Sequence, residues 1–269
     1  MTPTAVRATA IRWQATAEPA IVIEVLATRG SVPRDAGTRM LVAAHKVLGT
    51  IGGGHLELQA IATARRLLMQ GGAPQDQAVA LGPTLGQCCG GALTLRFTEL
   101  AAIDLQQWPP PRVLFDLQLY GAGHVGRAIV RLLRGIDCRV RWIDEREDEF
   151  PSENFPPHIE QVCAEPGQAE VAQAAPGAFY LVLTHSHDLD LAISQAILQR
   201  GDFGFFGLIG SQTKRARFEH RLLERGIAPA TLARMICPIG LPGLAGKQPE
   251  VLAVSVVAQL LMQQAPTGR

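Results

Sequence analysis

Hydrophobic positions along this chain switch between two periods, and the switches outline its elements. Ile21-Val22-Ile23-Glu24-Val25-Leu26 is a short β-branched run that reads as a strand, and Gly30-Ser31-Val32-Pro33-Arg34 turns the chain after it. Residues 40–42 and 47–51 read as two more strands. The chain then passes through Gly52-Gly53-Gly54 into a stretch, 55–70, in which Leu56, Ala60, Leu67 and Leu68 recur at helical spacing. Two further strand-like runs, 78–81 and 92–97, bracket Leu85-Gly86-Gln87-Cys88-Cys89-Gly90-Gly91. Residues 1–107 therefore predict a small α+β domain whose topology is not readable from periodicity.

Gln106-Gln107-Trp108-Pro109-Pro110-Pro111-Arg112 interrupts the pattern. Three consecutive prolines fix φ and donate no backbone hydrogen bond, so 108–112 reads as a stiff Pro-rich linker. Beyond it the chain alternates cleanly, with strands over 113–120, 138–144, 178–184 and 203–209 and helices over 124–134, 188–200 and 212–225. That alternation predicts an α/β fold, a Rossmann-type parallel-sheet domain over 113–269. Ser211 suits the N-cap of the last of these helices, and Asp188 reads as the N-cap of the one before it. A Gly/Pro loop from 238 leads into an apolar helix starting near Pro249, and nothing local says which domain it packs on.

Composition narrows the function classes. A chain of 269 residues is long enough for two cores, and 47% apolar with 18% charged residues suits buried surface rather than disorder. The formal net charge of +1 supplies no global field toward nucleic acid or an anionic membrane, so any anion must be held locally. The first residues hold no apolar core of signal-peptide length, and no run reaches the roughly 18–20 apolar residues that span a bilayer. A cytoplasmic location is expected. Five cysteines, two of them adjacent, read as reduced thiols.

The local chemistry sits in glycine-rich turns. Gly121-Ala122-Gly123-His124-Val125-Gly126 places G-x-G-x-x-G between a strand and a helix, and Asp144 ends the next strand. There Gly121 permits the tight turn, Gly123 lets backbone approach a pyrophosphate, and Gly126 lets helix and strand pack closely. NAD(P) is the ligand such a site would take, with Asp144 on a ribose hydroxyl or Arg146 on an extra phosphate. The alternative is that the glycines serve packing. Gly52-Gly53-Gly54 is a second candidate anion cradle at a helix start, with His55 in its first turn. Cys88-Cys89, between Gly86 and Gly90-Gly91, offers a thiolate on bare backbone for a soft metal or for sulfur. Its plainer alternative is a pair of small buried hydrophobes. Arg34, Arg39 and His45 lie near the first glycine turns, where they serve either a phosphate or the surface. His185 and His187 follow a strand at the edge where open α/β sheets bind ligands, as proton carriers or metal ligands. Lys214, Arg215 and Arg217 form a basic first helical turn, unfavourable to the helix dipole unless an anion is near.

Taken together the motifs resemble a known family. Gly30 through Arg34, Gly49-Thr50-Ile51-Gly52-Gly53-Gly54-His55-Leu56-Glu57 and Leu85 through Gly91 resemble the N-terminal domain of the XdhC/CoxI family. Tyr120 through Arg127, Thr184 through Asp190, Gly207 through Ser211 and Pro238 through Gly243 resemble its Rossmann domain and tail. The likeness covers most of the chain, in the right order. It implies a chaperone, not an enzyme, that binds the molybdopterin form of the molybdenum cofactor. Such a protein protects the cofactor while a cysteine desulfurase installs its sulfido ligand, then delivers it to xanthine dehydrogenase. A homodimer is implied as well. The cysteine before Gly-Gly, Cys89 here with Cys88 beside it, would hold the cofactor and its metal. Gly90, Gly91, Gly52, Gly53, Gly54, His55 and Arg34 complete that expected site, with Gly121, Gly123, Gly126, Asp144 and His185 expected at the Rossmann edge. The CoxI branch has a cysteine where this chain has His55, so the first loop here carries no thiol. Two alternatives stand beside the chaperone: an NAD(P)-dependent oxidoreductase and a sulfurtransferase acting through Cys89.

Overall fold

The computed structural model describes residues 2–71, 74–81, 90–244 and 246–263. They form two compact units, 1–112 and 113–269.

The first unit opens on a helix the apolar pattern understates, α1 (Pro3–Ala15). Thr2 caps it by accepting from the Ala5 amide, and Pro3 starts it where a missing N–H costs nothing. Val6, Ala10 and Trp13 recur at the i, i+4, i+7 spacing of one face and are buried. Five strands follow: β1 (Ile21–Arg29), β2 (Arg39–Val42), β3 (Val47–Leu48), β4 (Gln75–Ala80) and β5 (Ala92–Glu99), with α2 (Gly54–Gln70) between β3 and β4. They pair antiparallel in the order β3-β2-β1-β5-β4. Ile21, Ile23 and Val25 face one layer, packed on Leu56, Ala60 and Ala64 of α2. Val22 and Leu41 face the other, packed on Val6, Ala10 and Trp13 of α1 and on Trp108. Burial on both faces is why β1 reads as a continuous apolar run instead of an alternating one.

The second unit is a six-stranded sheet built from β6 (Asp116–Tyr120), β7 (Arg139–Asp144), β8 (Ile159–Cys163), β9 (Phe179–Val182), β10 (Phe205–Leu208) and β11 (Met235–Ile236). Every pairing is parallel, in the order β11-β10-β9-β6-β7-β8. Counted from β6, that is the doubly wound order in which the crevice opens between the first and fourth strands. Helix α3 (His124–Leu133) covers one face. Helices α4 (His187–Arg200) and α5 (Gln212–Glu224), with the short α6 (Pro229–Leu232), cover the other. The last helix, α7 (Pro249–Met262), joins the first face through Ala253, Val256, Val257 and Leu260, packed beside α3. Its Ser255 Oγ accepts from the Leu241 amide and its Gln259 Oε1 from the Gly240 amide, which pins the Gly/Pro loop to the helix. Among the described residues no helix is long and apolar enough to cross a membrane.

Candidate functional site

Three of the glycine motifs meet in the first unit. The turn Gly30–Arg34 is their common neighbour. Gly91 donates its amide to Ser31 O at 3.1 Å, and a methyl group placed on it would lie 2.3 Å from that oxygen. A methyl on Gly52 would lie 2.5 Å from the Pro33 ring. The chain approaches this turn so closely from both sides that neither position tolerates a side chain. Cys88 and Cys89 lie outside the described residues; Gly90 and Gly91, which follow them, lead directly onto the turn.

The Gly52-Gly53-Gly54 loop does form an anion cradle, and it already contains an anion. The Glu57 Oε2 atom accepts from the amides of Ile51 and Gly53, both at 3.0 Å, and from the Thr50 hydroxyl. Glu57 reaches back from the first turn of α2 as the acid of a capping box does. His55 is exposed and bonds Gln59 on the next turn at 2.9 Å.

Beside this cluster the first unit carries a cavity of about 410 Å³. Arg34, Thr38, Arg39, Thr50 and Trp108 line it, with Pro109–Pro111 along one side. Arg39 pairs with Glu24 at 2.7 Å, lays its guanidinium 4.9 Å from the centre of the Trp108 ring, and keeps a buried Nε with no hydrogen-bond partner. Trp108 is buried in this unit, its carbonyl accepting from Arg7 Nε at 2.6 Å. His45 does not line the cavity.

In the second unit the fingerprint glycines have separate tasks. Gly121 sits at φ +119°, where an added methyl would meet Leu183 O at 2.3 Å. A methyl on Gly126 would lie 2.1 Å from Gly121 O, whereas one on Gly123 meets nothing within 4 Å. Asp144 is buried at the end of β7 and fully engaged. It accepts from the Ala122 amide at 2.7 Å, from the Arg146 amide at 3.0 Å and from the Arg146 guanidinium. Burial alone would raise the Asp144 pKa, but Arg146 and the two amides outweigh it and hold the carboxyl below the usual carboxylate range. The crevice beside it, edged by Thr184 and the exposed His185, encloses about 10 Å³, far below the roughly 300 Å³ at which small-molecule sites begin.

The depressed Asp144 pKa has a defined sign. Its contribution to stability is present above the ordinary carboxylate value of about 3.9 and is lost as pH falls through the folded value. Asp144→Asn is therefore expected to lower the unfolding free energy at pH 7 by about 2 kcal/mol. Urea unfolding at a series of pH values should show that deficit shrinking toward the acid limit. A deficit that stays constant would assign the effect to packing instead.

The basic turn at Lys214 finds its anion inside the protein. Lys214 Nζ bonds Asp190 Oδ2 and Ile209 O, and Asp190 Oδ1 accepts from the amide and hydroxyl of Thr184. The pair is buried, with Asp190 1% exposed. Helix α4 is capped by Ser186, which accepts from the Leu189 amide; Asp188, expected in that role, lies inside the helix and is exposed. Cys138 and Cys237 are buried, and burial pushes both thiols up, Cys138 to about 12. Cys163 is exposed. Among the described residues no three side chains of metal-binding type gather in one place, and His185 and His187 belong to no such group.

Comparison with known proteins gives the family and the fold. The family model of the XdhC Rossmann domain matches residues 117–260, and that of the XdhC and CoxI family matches residues 13–78. This chain belongs to the XdhC and CoxI family. A family relative from Escherichia coli (strain K12), the uncharacterized protein YqeB, is 31% identical over 266 residues. That match takes in 93% of this chain but 45% of YqeB, so the chain spans about half the length of that relative. A crystal structure of a Bacillus halodurans protein described as a xanthine dehydrogenase superposes with a TM-score of 0.75. The superposition covers 98% of this chain and 96% of that one, at 18% identity, a likeness of fold.

What sequence reasoning passed over is the role of Glu57 in filling the Gly52 loop, the burial of Trp108 and the pairing of Lys214 with Asp190. Glu57 carried a signal, an acid in the first turn after a glycine N-cap. Lys214 carried half of one, a cation where the helix dipole disfavours it.

Proposed function

We propose that the chain is a carrier for the molybdenum cofactor in its molybdopterin form. It holds this cargo through Cys89, with Cys88 beside it, while a cysteine desulfurase supplies the sulfido ligand, and passes it to xanthine dehydrogenase. It works as a homodimer and turns over no substrate of its own. The observation that carries the reading is the convergence, in a chain of the XdhC and CoxI family, of Gly91 and Gly52 on the Gly30–Arg34 turn. Gly91 follows Cys88 and Cys89 closely in the sequence, and the pairing of a soft thiolate with a soft metal supports reading those two cysteines as the ligands. Cys138 and Cys237 suit the role less well, since both are buried and burial raises their thiol pKa values.

The test is retention of cargo. Purified protein, Cys88→Ala and Cys89→Ala are each mixed anaerobically with released molybdenum cofactor, and molybdenum is measured in the protein peak after gel filtration. The parent is expected to retain it and Cys89→Ala to lose it by about tenfold or more, with Cys88→Ala nearer the parent. No retention by the parent would end the carrier reading.

A further inference from the structure

The cavity of the first unit has a composition that specifies a ligand class. Two guanidinium groups, Arg34 and Arg39, line it and no carboxylate does. Arg39 is neutralised in part by Glu24, whereas Arg34 is exposed and makes no ion pair among the described residues. The lining also includes the largely buried Trp108, with the Arg39 guanidinium over its ring, and three successive prolines, rigid apolar surfaces of low conformational entropy. Arg39 also keeps a buried Nε without an acceptor, an unmet donor of the kind that folded proteins seldom leave. A volume of about 410 Å³ lies within the range of small-molecule sites.

The other glycine loop is closed to this role. Its amides at Ile51 and Gly53 already donate to Glu57, so a phosphate arriving there would have to displace a carboxylate held by three hydrogen bonds. Arg34 ends the same turn that receives Gly91 and Gly52, and Thr50 ends the strand side of the Gly52 loop, so the cavity adjoins the motif cluster.

We propose that this cavity is the seat of a phosphate-bearing planar heterocycle, with Arg34 and Arg39 on the phosphate and Trp108 and Pro109–Pro111 against the ring. Resting on the carrier reading, this makes it the site for the phosphorylated pterin end of the cargo.

The test uses a pterin with a phosphate monoester on its side chain, free of molybdenum and dithiolene, and the same pterin without phosphate. Binding to the full chain is followed by pterin fluorescence and by equilibrium dialysis. The phosphorylated probe is expected to bind, and Arg34→Gln to weaken it by roughly ten- to a hundredfold, the span of one charge-assisted contact. Arg34→Lys should recover part of that loss, and the phosphate-free probe should bind weakly and indifferently to both changes. Arg34 is exposed, so thermal unfolding of its variants is expected to match the parent. Equal binding of the two probes, or of parent and Arg34→Gln, overturns the assignment. Because the probe lacks the metal, this failure is distinct from that of the carrier reading: retention of molybdenum with no Arg34 dependence of the pterin probe would leave the carrier standing and remove the cavity from it.

Discussion

Replacing Lys214 by methionine is expected to destabilise the second unit by about 3–5 kcal/mol, the cost of leaving a buried carboxylate without its partner. Asp190 is 1% exposed and Lys214 10%, so solvent cannot take over the missing charge. The loss should reach beyond the pair. Asp190 also holds the amide and hydroxyl of Thr184, the residue that leads β9 into the Ser186 cap of α4. Urea unfolding of the full chain would measure the single change, and the double variant Lys214→Met/Asp190→Asn supplies the control. The asparagine keeps an acceptor for Thr184 and removes the charge, so the double variant should recover at least half of the lost stability. A single-variant cost below about 1 kcal/mol would mean that the pair is solvated in solution.

The fingerprint glycines give the second large effect. Gly121→Ala forces a side chain onto φ +119° and within 2.3 Å of a carbonyl oxygen. Backbone strain of about 1–3 kcal/mol and overpacking of similar size both apply. Gly126→Ala brings a methyl within 2.1 Å of Gly121 O and is expected to cost about 1–3 kcal/mol or more. Gly123→Ala meets nothing within 4 Å and should fall within about 1 kcal/mol of the parent. Thermal and denaturant unfolding of the three variants would rank them. If Gly123→Ala is as damaging as the other two, all three glycines serve the fold. If it is tolerated, Gly123 is the position free to admit the backbone approach of a ligand at the start of α3.

These effects explain why a Rossmann pattern is weaker testimony about ligands than about architecture. Gly121 and Gly126 are required by contacts inside the protein, and Asp144, the acid expected on a ribose, is bonded to Ala122 and Arg146. The same holds in the first unit, where the Gly52 loop is an anion cradle filled by Glu57. In each case the local motif does what its residue types allow, and its polar groups make hydrogen bonds within the chain.

Short-range order was legible along the chain because its physics is short-range. The strands from β1 to β10 other than β8, the helices α2, α3, α4, α5 and α7, and the parallel sheet of the second unit all follow from apolar periods and cap residues. Helix α1 carried its signal in Val6, Ala10 and Trp13, a stripe narrow enough to be overlooked beside exposed neighbours. Strand β8 left almost none: four of its five side chains stay outside the buried core at the sheet edge, and an edge strand needs little hydrophobic alternation. The Ser186 cap was misread as Asp188 because both residue types cap helices, and only the path of the chain after β9 selects one.

What the tertiary structure alone decided are the pairings of charge across elements and the enclosed space between them. Asp190 with Lys214, Asp144 with Ala122 and Arg39 with Trp108 join residues that no helical or strand period connects. A buried charge must find its partner wherever packing brings one, and a cavity exists only where several elements fail to meet. Sequence thus determined the family, the element order and the chemistry each motif offers. Packing determined which of those offers is taken up inside the protein, by Glu57 and Asp190, and left Arg34 facing open space with its charge unpaired among the described residues.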